Sequence, residues 1–139
     1  MIRRLRAGDE PLNQEVCRLF KERVPSDAEA RRFLERDDVV VFAALDGERP
    51  VGFAYGYVLE RIDGDRSVFL YELGVDETRR RRGLGRRLAE AMREVAVDAR
   101  AVKMWVQTDE ANEPAKRTYA SAGAARAGTD LTFLWRFSR

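Results

Sequence analysis

The chain has 139 residues, 36% of them charged, yet 26 basic and 24 acidic side chains leave a formal charge of only +2. That length suits one domain spanning residues 1–139, and the near balance argues against nucleic-acid binding through bulk charge. Histidine is absent and cysteine occurs once, at Cys17; this excludes Ser-His and Cys-His catalysis, the commonest metal ligand and any intramolecular disulfide.

Taken in order, Ile2 to Arg6 alternates briefly and reads as a first strand. Gly8-Asp9 breaks it, and Asp9 is placed to cap the following helix. Leu12, Val16, Leu19 and Phe20 then form one apolar face of a helix ending near Val24, with Cys17 expected to be buried and inert. Pro25-Ser26-Asp27 stops that helix and caps a second one, whose Ala30, Phe33 and Leu34 point inward. Val39 to Leu45 is the nearly continuous apolar run of a buried strand. Asp46-Gly47 predicts a hairpin, and Val51 to Leu59 is the return strand, where Gly52 and Gly56 signal a bulge or a close backbone approach. A polar loop, Glu60 to Arg66, leads to a central strand, Val68 to Val75.

Leu84, Leu88, Ala91, Met92 and Val95 fall at helical spacing, so a helix runs from Leu84 to Ala99. Ala101 to Gln107 alternates as a strand, and the crossover helix before it implies parallel pairing with the central strand. Asp109 to Glu113 is an acidic loop, Glu113 to Ser121 a short helix, and Ala124–Ala127 and Leu131–Phe137 are two closing strands. The expected fold is α/β (α+β): one mixed sheet with helices on both faces. With no signal segment and no apolar run approaching a membrane span, a soluble, cytoplasmic protein without membrane partners is expected.

The chemistry points to the turn between the central strand and the Leu84 helix. Arg79, Arg80, Arg81 and Arg82 precede Gly83-Leu84-Gly85, and Arg86 and Arg87 follow. A helix opening in a glycine turn presents unpaired N–H groups that suit a phosphate or pyrophosphate, and the arginines attract a polyanion. The spacing is neither a dinucleotide fingerprint nor a nucleotide-triphosphate loop.

Arg80-x-x-Gly83-x-Gly85, after a strand ending Leu73-Gly74-Val75, resembles the acetyl-CoA loop of the GNAT superfamily of N-acetyltransferases. Asn112-x-x-Ala115-x-x-x-Tyr119-x-x-x-Gly123 resembles that superfamily's second signature. Tyr71-Glu72-Leu73, Val106-Gln107-Thr108-Asp109 and Glu113-Pro114-Ala115 are similar to the gentamicin-acetylating aminoglycoside 3-N-acetyltransferases. The resemblance implies a twisted, mostly antiparallel sheet of about six to seven strands with about four helices, split between two central parallel strands. In this family the first two helices flank the acceptor pocket.

The resemblance also implies roles. Arg80, Arg81, Arg82, Gly83, Leu84, Gly85 and Arg86 would hold the pyrophosphate of acetyl-CoA through their backbone. The edge at Leu73 and Val75 would pair with the pantetheine arm and lend an N–H to the oxyanion. Asn112 would cap its helix or touch that arm, and Tyr119 would protonate the coenzyme A thiolate. The family usually has a bulky apolar residue after its last glycine, whereas Ala124 follows Gly123 here.

Glu72 stands out on its own account. A carboxylate in an apolar strand needs a partner or a task. Alternation places it on the face opposite Tyr71 and Leu73, where it can serve as base or as an anchor for an ammonium. Asp109 and Glu113, with Glu110, Asp63 and Asp65 as weaker candidates, could add an acidic pocket for a small cationic amine. The expected activity is acetylation of such an amine, at best an aminoglycoside. A polyamine, an amino acid or a protein lysine is the alternative acceptor, and a non-catalytic coenzyme-binding or nucleic-acid-binding module the alternative class. No metal is expected, and a homodimer is compatible with the size but specified by no motif.

Overall fold

Valine and aromatic residues recur along the two longest strands, and these pair as the backbone of the molecule. The computed structural model describes residues 1–138. Its strands are β1 (Ile2–Leu5), β2 (Val39–Asp46), β3 (Arg49–Glu60), β4 (Arg66–Val75) and β5 (Lys103–Trp105). Its helices are α1 (Glu10–Phe20), α2 (Asp27–Leu34), α3 (Leu84–Asp98) and α4 (Glu113–Ser121). The strands form one sheet in sequence order, antiparallel from β1 to β4 and parallel between β4 and β5. The α3 crossover makes that last pairing parallel, as its length requires.

Each face of the sheet carries its own core. On one face Val40, Ala44, Val68 and Leu70 pack against Leu88, Met92 and Ala96 of α3. On the other, Leu5, Val39, Val41 and Phe53 pack against Val16 of α1 and Leu34 of α2. Leu70, Leu88 and Met92 are fully buried, each contributing about 1.5–3 kcal/mol by removal from water.

Several expectations are corrected. The sheet has five strands, not six or seven, because Ala124–Ala127 and Leu131–Phe137 do not form strands. β5 is therefore an edge strand rather than a central one. The first helix stops at Phe20, since Lys21 adopts an extended backbone. Asp9 makes no side-chain cap; its carboxylate accepts from the Arg6 N–H at 2.9 Å and pairs with Arg3. Ser26 does cap α2, in a reciprocal arrangement with Glu29. Those bonds, chiefly from the Ser26 backbone N–H and then from Arg23, lower the Glu29 carboxyl to about 2. Cys17 is half-buried, and burial raises its thiol.

The feature that matters most for function is a β-bulge. Tyr55 pairs with Glu72 and Gly56 with Leu70, so Tyr71 has no partner on β3. Gly56 is what lets the strands close at this irregularity, because a Cβ there would lie 2.1 Å from the Phe69 carbonyl oxygen. A contact with backbone cannot be relieved by a rotamer change. Gly56→Ala is therefore expected to destabilise the fold by about 1–3 kcal/mol or more, read as a lower urea midpoint; an unchanged midpoint would contradict the close approach.

Candidate active site

The parallel ladder between β4 and β5 is short. Only Ser67, Val68 and Phe69 pair with Lys103, Met104 and Trp105. Beyond Phe69 the two chains part, and β4 from Leu70 to Val75 is left open on that side. The Asp76 N–H donates to the Val51 carbonyl on β3 at 2.9 Å. Since successive N–H groups alternate sides along a strand, those of Val75 and Leu73 face the opening. Their side chains pack against the core on the α3 face.

The basic turn sits directly beyond this opening. A 3-10 turn, Glu77–Arg79, is capped by Asp76, whose carboxylate accepts from the Thr78 N–H at 3.0 Å. Arg81 and Gly83 then adopt left-handed backbones, with φ of 66° and 76°. Left-handed residues interspersed in a turn gather N–H groups into an anion-binding concavity. Gly83 is the N-cap of α3 and offers no side chain to its first turn, so the leading N–H groups of the helix remain available to a ligand. Arg79 pairs with Asp46 and Arg86 with Glu90. Among the described residues no ion pair holds Arg80, Arg81 or Arg82. The loop is a free cationic cradle.

Gly85 has a different reason to be glycine. A Cβ there would meet the Thr118 side chain at 3.1 Å, so it lets the start of α3 pack on α4. Thr118 precedes Tyr119, whose ring packs on the same face as Leu73, Val75 and Leu84. Burial raises the Tyr119 phenol above its ordinary value of 10.0. Asn112 caps α4, its side-chain oxygen accepting from the Ala115 N–H at 3.1 Å.

Glu72 lies on the face opposite Leu73, as alternation predicts, but its expected separation from Tyr71 is corrected. Its carboxylate accepts from the Tyr55 hydroxyl at 2.7 Å, while the Tyr55 ring sits 5.4 Å from that of Tyr71. Glu72 and Tyr71 therefore share a face, because the bulge inserts one residue and breaks the period of two. The Lys21 ammonium, just past the end of α1, donates to both Glu72 oxygens at 2.9 and 2.7 Å. Burial, then the bond to Glu72, pushes the Tyr55 phenol far up. Tyr55 and Lys21 escaped the reading of the sequence. Tyr55 was visible as the middle of Phe53, Tyr55 and Tyr57 at strand spacing; Lys21 carried only the weak signal of being one of three lysines among 26 basic residues.

Asp109 and Glu113 lie apart from this cluster in the hydrogen-bond network. Asp109 closes a turn onto the Ala111 N–H at 2.8 Å, and Glu113 pairs with Lys116 at 3.0 Å. Glu110 is held by Lys116 and Arg126, and Asp63 by its own loop. Two small concavities of about 180 and 440 Å³ lie beside β1, near Arg36 and Glu15. Neither includes any residue of the opening. Among the described residues no helix is long and apolar enough to cross a membrane, and no acidic or cysteine cluster could hold a metal ion.

The Acetyltransferase (GNAT) family model matches residues 7–124. The chain belongs to the GNAT acetyltransferase family. It is accordingly an N-acetyltransferase, with acetyl-CoA as its co-substrate. No curated protein sequence matches the chain. Among solved structures, an aminoglycoside acetyltransferase, meta-AAC0020 from an uncultured soil metagenomic sample, in complex with sisomicin, superposes with a TM-score of 0.91 at 24% identity, covering 99% of this chain and 96% of that one. The aminoglycoside acetyltransferase AAC(6')-Iy, bound to a bisubstrate analogue, follows at 0.80 and 19%, covering 98% and 97%; another structure of it holds CoA. A ribosomal-protein-alanine N-acetyltransferase from Brucella melitensis biovar Abortus 2308 scores 0.75 at 19%, covering 97% and 99%. At these identities the likeness is one of fold.

The loop generates a prediction. Gly83→Ala places a side chain in a left-handed position, at a cost of about 1–2 kcal/mol that the turn relieves by moving its N–H groups. Acetyl-CoA binding by calorimetry should weaken roughly five- to thirtyfold, and an unchanged affinity would remove this turn from the cofactor site.

Proposed function

We propose that this GNAT enzyme acetylates a primary amine of a small polycation, an aminoglycoside, at its 3-amino group. One observation carries the acceptor class: Glu72, placed by the bulge on the α1 face, already seats an ammonium, that of Lys21, with Tyr55 fixing the carboxylate. An acceptor ammonium would take the place of Lys21 Nζ. Asp109 and Glu113, both exposed, would meet further ammonium groups of the same ligand. The choice of the 3-amino group rests on the sequence likeness around Tyr71–Leu73 and Val106–Asp109.

The chain's residues divide the work by face. Backbone N–H groups from Arg81 to Arg86 would hold the pyrophosphate, with Arg80, Arg81 and Arg82 supplying attraction, and the open edge of β4 would hold the pantetheine arm. Glu72 takes the proton from the acceptor ammonium, directly or through water, leaving a nucleophilic amine. As the nitrogen–carbon bond forms, the N–H of Val75 or Leu73 donates to the carbonyl oxygen where charge develops. The carbon–sulfur bond breaks, and the Tyr119 hydroxyl gives its proton to the departing thiolate. Because burial raises the Tyr119 phenol above its ordinary value, it stays protonated and able to donate across the neutral range.

The decisive assay is thiol release from acetyl-CoA across gentamicin-type aminoglycosides, spermidine, amino acids and lysine peptides, with the acetylated position read by NMR. Saturable release with an aminoglycoside and a 3-N-acetyl product is expected; a 6'-N product would correct the regiochemistry, and release only with other amines would overturn the acceptor. Tyr119→Phe should lower kcat about 100-fold or more with acetyl-CoA binding retained. Burial raises the phenol, so kcat should not decline through Tyr119 in the neutral range; a neutral-range alkaline limb abolished by Tyr119→Phe would contradict this. Lys21→Ala frees Glu72 from an exposed ion pair and should lower the acceptor KM about two- to fivefold while kcat moves little. A raised KM would instead make Lys21 part of the acceptor site.

A further inference from the structure

Lys21 is positioned with more care than a surface lysine needs. α1 stops at Phe20, and the extended backbone of Lys21, whose N–H donates to the Cys17 carbonyl at 2.8 Å, turns the chain off the helix. The Phe20 ring packs against that of Phe53 on β3, 5.1 Å away, and Phe53 stacks on Tyr55 at 6.3 Å. Tyr55 bonds the Glu72 carboxylate at 2.7 Å, and Glu72 receives the Lys21 ammonium at 2.9 and 2.7 Å. The circuit of contacts closes, so α1, β3 and β4 together hold one amine against one carboxylate. The lysine side chain stays 40% exposed, and an ion pair that open is weak. Its place is fixed while the pair itself is easily broken.

Residue type matters as much as position. The chain has three lysines among 26 basic residues, and a guanidinium in this place cannot give up its proton to become a nucleophile. Lys116 is tied to Glu110 and Glu113, at 3.3 and 3.0 Å. Lys103 lies over the Trp105 ring, 5.5 Å from its centre. Among the described residues only Lys21 brings a primary amine to Glu72. A primary amine is the chemical class of the acceptor, and Glu72 is the carboxylate that would take the acceptor's proton.

We propose that the enzyme acetylates its own Lys21, a self-transfer that primes the acceptor site. The step rests on Glu72 acting as base toward the acceptor amine. An amine that occupies the acceptor's place is itself an acceptor, and its tether makes the attack unimolecular. Glu72 takes one proton from the ammonium and passes it to solvent. Lys21 Nζ attacks the thioester carbonyl carbon of acetyl-CoA, the nitrogen–carbon bond forms, and the carbon–sulfur bond breaks. The thiolate takes a proton from Tyr119, and the second proton lost by the nitrogen restores that phenol through solvent. The products are an amide, coenzyme A thiol and one proton. The amide is uncharged, so the ion pair with Glu72 is gone, while the Tyr55 bond still orients the carboxylate. Glu72 is then open to a free acceptor.

The test is incubation of the full chain with acetyl-CoA and no acceptor, followed by peptide mass spectrometry. Lys21 should gain one acetyl group ahead of Lys103 and Lys116, at a rate per chain that does not depend on protein concentration. Tyr119→Phe should slow that labelling roughly 100-fold, an effect that uncatalysed acetylation by the thioester would lack. The acetylated chain should show an acceptor KM about two- to fivefold below that of the unmodified chain. Lys21→Arg keeps a cation on Glu72 but cannot be acetylated, so preincubation with acetyl-CoA should leave its KM unchanged. Equal labelling of all three lysines, a rate that rises with protein concentration, or labelling indifferent to Tyr119→Phe would overturn the self-transfer. An acceptor KM unmoved by the acetyl group would overturn the priming. An unlabelled Lys21 would overturn both. In that last case, thiol release on adding an aminoglycoside to the same sample confines the failure to the self-transfer, whereas no release with any amine removes the reading of Glu72 as well.

Discussion

The site depends on one misregistered residue. By leaving Tyr71 unpaired against β3, the bulge turns Glu72 onto the face of Tyr55 and Lys21 while the residues beyond it keep their own alternation. Leu73 and Val75 can then face the α3 core with their side chains and the opening with their N–H groups. Without the extra residue, Glu72 would share a face with residues packed under α3, where a carboxylate has no partner and burial is costly. A single insertion thus sets the Glu72 carboxylate on one side of the sheet and the Leu73 and Val75 side chains on the other. Gly56 makes it sterically possible.

The short pairing between β4 and β5 has a related effect. Three residue pairs hold the strands together at one end, and the loss of pairing beyond Phe69 exposes main-chain donors that a longer ladder would have consumed. Polar groups left unpaired inside a fold usually signal an error or a ligand. Here they adjoin a turn whose left-handed residues and unpaired arginines present positive charge. The electrostatics of the two faces differ accordingly: donors and guanidinium groups at the turn, a neutralised carboxylate near α1.

Much of this architecture was legible because it rests on periodicity. The apolar stripe of α3, the hairpin at Asp46-Gly47 and the two-glycine turn each obey a local rule, and each stands where that rule puts it. The bulge was legible only as a hint in Gly56, since the sequence does not say which residue of the facing strand will lose its partner. That is why Glu72 was expected opposite Tyr71 as well as Leu73, when only its placement opposite Leu73 holds. Lys21 was invisible for a related reason: it meets Glu72 across 51 residues of chain, and only the packing of α1 against β3 sets that meeting. The closing segment shows the reverse case. Its alternation predicts a strand, yet none forms there, because pattern specifies a face to be buried and not the surface that buries it.

The contact between Gly85 and Thr118 has a consequence for altering the enzyme. It packs the opening turn of α3 closely on the helix carrying Tyr119, so that a methyl group added at Gly85 would lie 3.1 Å from the Thr118 side chain. Volume gained at one position must be accommodated by a small shift at the other, so substitutions at the two are expected to couple rather than add. Any change at the opening turn of α3 is therefore felt by the helix that carries Tyr119.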